Sequence, residues 1–573
     1  MTDLDWTPDE DVEDWEQYQA ELAQDDRQTA PEHDDDDIKA PRKSASTVLF
    51  ELAQEHFHFG VSDAGDTFAV PKSGPKVVRM LRGGKTSLRS GLAREYFART
   101  GRAAPQQALA DALLVIEGFA QDKKESKLEM RVAEHDGDLW LDLGDSTGRA
   151  VRITSTGWTV EPSSPILFRR SSLNSPLPEP RRGGSLDELW TWLNITKEDH
   201  PLILAWLVLA IRPDLPHPIL DLSGEQGSGK TTAQKVLVSI IDPSPVPTRK
   251  PPRDAESWVT AASGSWIVGL DNLSMIPDWL SDCLCRAVTG EGDVRRKLYM
   301  DSDLIVFAFR RCIILTGIDL GAVNGDLTDR LLPVHLDLID PDKRREEGEL
   351  WPGWQKAHPR LLGALLDAVV SVRAVLPSVR LESKPRMADF GRVLAAVDKV
   401  FGTHGLERYV DGQSSLASES LTGDPFIMAM QRDLTGTFKG TSAELLSLVK
   451  VPERPPKYWP TDARRVTQRL HRQAPIMRRA GWKVTGDKGH TICWTIIPLS
   501  SKEGPYLTVS TERTESTTSE GATSDSENSG NSVSTESTKR SLYQERFRDS
   551  VNSVKYGTSQ EDETLWFAEE DLL

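Results

Sequence analysis

Apolar positions at helical spacing first appear in "STVLFELAQEHF" (46–57) and return in "QQALADALLVIEGFA" (106–120), predicting two amphipathic helices. Between and after them, "LEMRVAE", "DLWLDLG", "AVRIT" and "GWTVE" alternate apolar and polar residues and are joined by Gly/Asp turns. That is the pattern of short strands in hairpins, so residues 45–165 read as an α+β accessory domain. "NSPLPEPRRGG" (174–184) supplies the punctuation of a linker, placed at 166–184. From 185 to 345 strand and helix patterns alternate, the mark of a parallel α/β sheet. Within it "PLILAWLVLAI" (201–211) is apolar all round, too short to cross a bilayer and expected as a core helix. Helical periodicity continues over 346–435.

The last patterned block, 441–499, opens on Thr441 and Glu444 at capping-box spacing. "TDARRVTQRLHRQAPIMRRAG" then sets Arg464, Arg465, Arg469 and Arg472 on one helix, and "WKVT" and "TICWTII" flank a turn containing Lys488. Helix, helix, hairpin is the order of a winged helix, with the second helix available to a major groove and the wing to a backbone. A solvated charged helix on a protein-binding module has the same pattern.

Charge sharpens this picture. The whole chain of 573 residues is −18, yet residues 1–40 hold 16 Asp/Glu against Arg27 and Lys39, and residues 500–573 hold 15 against 7 Lys/Arg. The acidity belongs to the ends, while 441–499 carries 11 Lys/Arg against 4 Asp/Glu. The tails at 1–44 and 500–573, the second a Ser/Thr/Glu tract, have too few apolar residues to offset their ordering entropy and are expected to be disordered. Four cysteines without paired metal spacing read as free thiols in a reducing compartment. No basic, apolar, small-residue succession opens the chain, so a cytoplasmic protein with no membrane association is expected.

The sharpest candidate chemistry lies in "LSGEQGSGKTTAQKVLV" (222–238). Gly224, Gly229, Lys230 and Thr231 satisfy G-x-x-x-x-G-K-[ST] between an apolar strand and a helix. Such a turn directs backbone N–H groups and a positive helix end at one spot, which suits the polyphosphate of ATP. Lys230 would reach the β- and γ-phosphates, and Thr231 would help hold Mg²⁺; a glycine-rich turn without a ligand is the plain alternative. About forty residues on, "SWIVGLDNLS" ends a buried-type strand at Asp271, where a second metal-holding carboxylate would sit. Asn272 follows it in place of a second acid, so Asn272 or Glu225 could orient the attacking water.

"LCRAVTGEGDVRRKLYMDSDLIVFAFRRCIILTGID" adds a basic trio, Arg295, Arg296 and Lys297, before a strand ending in Thr316, and "GDLTDRLLPVHLDLI" places Arg330 ahead of a further strand. This order resembles the superfamily 3 helicases of the AAA+ class of P-loop NTPases. The resemblance implies Walker A at Gly224, Glu225, Gln226, Gly227, Ser228, Gly229, Lys230, Thr231 and Thr232, and Walker B at Asp271. It also implies a DNA-contacting B′ segment from Thr289 to Lys297, a sensor at Thr316 and an arginine finger at Arg330, for which a surface ion pair with Asp326 or Asp329 is the plain alternative. With "PVPTRKPPRD", "WVTAASGSW", "LDN" and "PRMADF", residues 136–400 further resemble ATP-binding proteins of actinobacterial phages and integrative elements, and 441–499 resembles the winged-helix modules of phage-type primase-helicases. Together these resemblances imply a replication ATPase, a helicase or DNA-remodelling enzyme acting on DNA as a homo-oligomer, a hexameric ring among the outcomes, with other replication proteins as partners. A DNA-binding switch that never translocates, and an ATPase acting on protein partners, stand as alternatives.

Two further clusters are weaker. Asp136, Asp138, Asp142 and Asp145 could converge as a metal site or merely mark hairpin turns; His56 and His58 have no third ligand in view.

Overall fold

A computed structural model describes residues 43–498, apart from 83–86, 291–292, 297–303, 308–309, 319–324, 457–458 and 488–491. Helix Ala45–His56 opens the described chain, its first turn closed by the Ser44 hydroxyl. Strands β1 (Phe57–Ser62), β2 (Thr67–Pro71), β3 (Arg79–Met80) and β4 (Glu125–Ser126) form one sheet in the order β3-β2-β1-β4. Helices Ala45–His56, Leu88–Thr100 and Gln106–Gln121 bury Leu49, Leu92, Leu113 and Ile116 against it as a core of their own.

The following strands, β5 (Val132–His135), β6 (Asp138–Asp142), β7 (Ala150–Ile153) and β8 (Trp158–Glu161), make a separate antiparallel meander. Its alternation sends Val132, Leu139, Leu141, Val151 and Ile153 into the main hydrophobic core, shared with residues as distant as Phe390 and Tyr409. The expected domain boundary near residue 165 therefore falls between residues that share one core. Nor is 166–184 a free tether: Phe168 and Leu177 are buried, and a Cβ on Gly184 would lie 2.1 Å from the Arg360 carbonyl oxygen. The fully buried Arg131, held at φ +61°, donates to Asp242 at 2.9 Å and to the carbonyls of Asp142 and Ser175, bolting the meander to the next layer.

That layer is a parallel sheet of β9 (Ile219–Ser223), β10 (Ile267–Leu273), β13 (Cys312–Gly317) and β14 (Leu331–His335), in the order β10-β13-β9-β14. A single bridge from Arg249 to Leu270 extends it beyond β10. Strands covered on both faces read as nearly continuous apolar runs, and the strict alternation shows in which core each residue joins. Leu220, Leu222, Cys312 and Ile314 face helices His200–Ala210 and Lys230–Ser239, whereas Ile219, Val268, Leu270, Ile313 and Leu315 face Ala255–Ser263 and Asp278–Thr289. Helix His200–Ala210 is buried on every side, as its composition requires. Between β10 and β13 the chain makes a two-stranded ribbon, β11 (Asp293–Arg296) with β12 (Leu304–Phe307).

Helix Glu347–Val375 carries Pro352 and Pro359 and packs Leu361, Leu365 and Val369 into the main core. With its continuation to Ser378 it is, among the described residues, the one helix long and apolar enough to cross a membrane, and half of that apolar stretch is buried inside the protein. Helices Ala388–Phe401 and Gly405–Thr422 complete the layer. A last core starts at Ala417, earlier than the expected boundary, and takes in helix Pro425–Asp433, β15 (Phe438–Thr441), helices Ser442–Leu448 and Ala463–Arg479, and the hairpin β16 (Lys483–Gly486) and β17 (Cys493–Ile497). Its sheet order is β15-β17-β16. Both halves of the capping box at Thr441 and Glu444 form.

Candidate functional site

Strand β9 delivers the chain to the carboxyl edge of the parallel sheet, and the glycine-rich loop turns it into helix Lys230–Ser239. Two glycines make the turn feasible. Gly224 sits at φ +146°, where a Cβ would come within 2.4 Å of the Leu336 carbonyl oxygen; Gly229 adopts φ +84° as the helix N-cap. No side chain caps this helix, so its first amides stay available to an anion.

Lys230 bends back over the loop, donating to the carbonyls of Gly224 and Glu225 at 2.7 Å each, with Ser228 Oγ at 3.4 Å. Burial draws its ammonium below the ordinary value, opposed by the Asp271 carboxylate. The Thr231 hydroxyl donates to Asp271, 3.1 Å from Oδ1 and 3.3 Å from Oδ2. Forty residues of sequence thus close into one cluster of cation, hydroxyl and carboxylate. Glu225, Gln226 and Gly227 are exposed on the loop, Ser228 is buried beneath it, and Thr232 is half-buried on the first helical turn.

On β10 the register against β13 shifts between Leu270 and Leu273, and Asn272 is left-handed at φ +60°. This bulge turns Asp271 toward Thr231 and leaves Asn272 exposed at the sheet edge. Thr316, expected as a sensor reaching the nucleotide, is buried; its hydroxyl donates to Asp271 Oδ1 and accepts the Asn272 N–H at 3.0 Å. It holds the carboxylate rather than presenting itself.

Arg330 departs from the expectation of an outward arginine finger. It is only 8% exposed and is ion-paired to Asp326 one helical turn back, also donating to the Asp326 carbonyl at 2.8 Å. Burial disfavours its charge, but Asp326 outweighs that and raises the guanidinium above its ordinary value. The group is committed within its own chain.

Of the basic residues, Arg464, Arg465 and Arg472 are exposed along helix Ala463–Arg479, with Arg465 3.6 Å from Asp462. Arg469 differs: it lies 3.3 Å from Asp424, the carboxylate that caps helix Pro425–Asp433. Arg295 and Arg296 lie on β11, of which only the backbone is described; Lys297 and Lys488 fall outside the described residues. The carboxylates at 138, 142 and 145 are each taken by an arginine (Arg152, Arg170 and Arg149), and Asp136 is a turn residue at φ +51°. His56 lies 3.8 Å from Glu95, and no group of three or more metal-ligating His, Cys, Asp or Glu exists among the described residues.

Sequence reasoning missed Asn194. Its side-chain amide donates to the Ser228 carbonyl at 3.0 Å and to the Asp337 carbonyl at 2.6 Å. No motif marks a residue 34 positions before the loop it touches.

No curated protein matches the chain. Among solved structures, the apo NrS-1 C-terminal region aligns at 11% identity over 78% of this chain and 98% of that one, with a TM-score of 0.35. A JCV helicase with a small molecule bound aligns at 12% identity over 40% of this chain and 67% of that one, with a TM-score of 0.21. Residues 186–419 match the family model of the actinomycete integrative conjugative element replication protein, and residues 426–515 match that of its C-terminal domain. Over these two stretches the chain is similar to the replication protein of a mobile element, the actinomycete integrative conjugative element.

Proposed function

We propose that the chain is an ATP-hydrolysing, DNA-binding replication protein that remodels or unwinds DNA, built on a P-loop core of the AAA+/superfamily 3 type. The observation that carries this reading is the meeting of Lys230, Thr231 and Asp271 at the carboxyl edge of a parallel sheet, against an uncapped helix start. The hydroxyl and carboxylate oxygens are the hard donors Mg²⁺ prefers, so Thr231 and Asp271 would hold it. The ion would neutralise charge on the β- and γ-phosphates. Lys230, now resting on two loop carbonyls, would exchange them for phosphate oxygens. Thr316 would keep Asp271 aimed, and Asn272 or Glu225 would orient the attacking water. Catalysis in such a site is positioning plus electrostatics.

The DNA-binding part of the reading rests on the 417–496 module, whose strand order and helices suit a winged helix with Ala463–Arg479 entering the groove. The exposed Arg464, Arg465 and Arg472 would contact DNA, and the β11–β12 ribbon with Arg295, Arg296 and Lys297 would add a second contact. Assembly as a homo-oligomer follows from the resemblance to ring ATPases.

Steady-state ATPase rates with and without single-stranded and duplex DNA test the proposal. Stimulation by DNA is expected; an ATPase indifferent to DNA would favour action on protein partners. Strand displacement separates a helicase from an ATP-controlled DNA-binding switch.

A further inference from the structure

Lys230 and the Ser228 N–H brace the glycine-rich loop from within, and the rest of its support comes from outside it. Gly224, Gly227 and Gly229 all lie at positive φ, conformations that gain nothing from side-chain packing of the glycines themselves. The Ser228 carbonyl also lies just before the N-cap, outside the helical ladder, so something else must accept the task of fixing that peptide. Asn194 does so. Its neighbours Leu193 and Ile195 are buried in the main core, which fixes the backbone from which the amide reaches out. One NH₂ group has two hydrogens, and both are used: one on Ser228 and one on Asp337.

Asp337 begins the segment that backs the loop. The Leu336 carbonyl lies against Gly224, Ile339 Cδ1 comes within 3.0 Å of the Cβ position of Gly229, and the Ile339 N–H points at the Gly227 carbonyl over 3.4 Å. Asn194 therefore staples the loop to its backing. Across a planar trans peptide the C=O and the following N–H point in opposite directions. Holding the Ser228 oxygen on Asn194 consequently fixes the Gly229 N–H on the side away from Asn194.

We propose that Asn194 is a positioning residue for nucleotide binding, setting the peptide planes of the glycine-rich loop so that its amides are arranged before the triphosphate arrives. This rests on the ATP reading of the loop. Preorganised donors need no rearrangement on binding, so losing the staple should appear in affinity rather than in folding.

The test uses the full chain as wild type, Asn194→Asp and Asn194→Ala, titrated with a fluorescent ATP analogue plus Mg²⁺ at pH 8, with melting followed without nucleotide. Aspartate has the same shape, but its carboxylate has no donor and faces two carbonyl oxygens. Expected are ligand-free melting temperatures close to wild type and affinity weakened about tenfold or more by Asn194→Asp at pH 8. Asn194→Ala, which removes both donors without placing a charge against the two carbonyls, should weaken binding less than Asn194→Asp does. Should Asn194→Asp fail to fold, affinity and melting of Asn194→Ala decide. Wild-type affinity in the substituted proteins overturns the assignment. A wild type that binds no ATP overturns the nucleotide reading itself, and the two failures are told apart by that control.

Discussion

Arg479, on the last turn of the arginine-rich helix, is ion-paired with Asp329, the residue immediately before Arg330. Alongside it, Ile476 packs where a Cβ on Gly325 would lie, 3.0 Å from its side-chain carbons. The C-terminal half of the helix is thus docked on Gly325–Thr328, while Arg464 and Arg465 stand exposed at its other end. Since both partners are largely sheltered, Arg479→Ala and Asp329→Ala should each lower stability. Their double-mutant cycle should return a coupling of about 1 kcal/mol or more. Additive losses in chemical denaturation would show the pair to be incidental.

Lys230→Ala and Asp271→Ala should each abolish ATP turnover while leaving the melting temperature nearly unchanged, because neither side chain is part of a hydrophobic core. Raising Mg²⁺ should partly restore binding to Asp271→Ala but not turnover. Thr316→Val, which keeps the shape and removes the hydroxyl on Asp271, should lower kcat about tenfold or more with a smaller change in KM for ATP. Normal turnover in Lys230→Ala would remove the whole nucleotide reading.

The burial of Arg330 yields an outcome opposite to that of an arginine supplied in trans. Arg330→Ala should destabilise the fold by about 1 kcal/mol or more, through the lost packing and hydrogen bonds of its sheltered side chain rather than a stranded charge, because Asp326 is mostly exposed and has Arg386 3.7 Å away. Mixing it with Lys230→Ala should restore no ATPase activity. Recovery on mixing would mean that the arginine swings out of its pair in the assembled protein.

Exposed arginines on Ala463–Arg479 should behave differently from the tethered one. Arg464→Ala, Arg465→Ala or Arg472→Ala should weaken DNA binding and each reduce the salt-dependence slope by about 1. Arg469→Ala should act on stability through Asp424 and helix Pro425–Asp433. Binding isotherms at several salt concentrations, read beside thermal melts, distinguish the two classes.

Two buried histidines set an acid limit. Burial pushes the pKa of both His217 and His358 down to about 4. Because the unfolded chain takes up protons first, stability is full above about pH 6.5 and declines as pH falls toward 4, by up to about 1.4 kcal/mol per pH unit for each fully shifted group. Urea midpoints at pH 7.5, 6 and 5 should show this decline, and His217→Asn should lessen its steepness. A flat profile between pH 7.5 and 5 would contradict the assignment.

Local features were legible in the sequence. The capping box at Thr441 and Glu444 spans three residues, and the helices at Ala45–His56 and Gln106–Gln121 follow from their own periodicity. The meeting of Thr231 with Asp271 was also foreseeable, because consecutive parallel strands end at the same sheet edge. What sequence could not supply were pairings across large separations that no pattern announces: Arg469 with Asp424, Arg479 with Asp329, and Asn194 with Ser228. Arg330 shows the same limit in reverse. Its place in the family order suggested a group facing a neighbour, whereas the local alternative, an ion pair with Asp326 four residues away, is the arrangement found.

The bolt between Arg131 and Asp242 decides where this protein can be cut. The family match begins at residue 186, but a fragment starting there would carry Asp242 buried without its guanidinium and would strip Leu139, Leu141 and Ile153 from the core. A buried carboxylate left with only the Trp266 and Ile267 N–H groups, its ion-pair partner gone, and a bared apolar face are each costly for a chain of ordinary stability. A piece that folds alone is therefore expected to start upstream of Met130, and the meander is a structural wall of the parallel-sheet layer rather than an appendage in front of it.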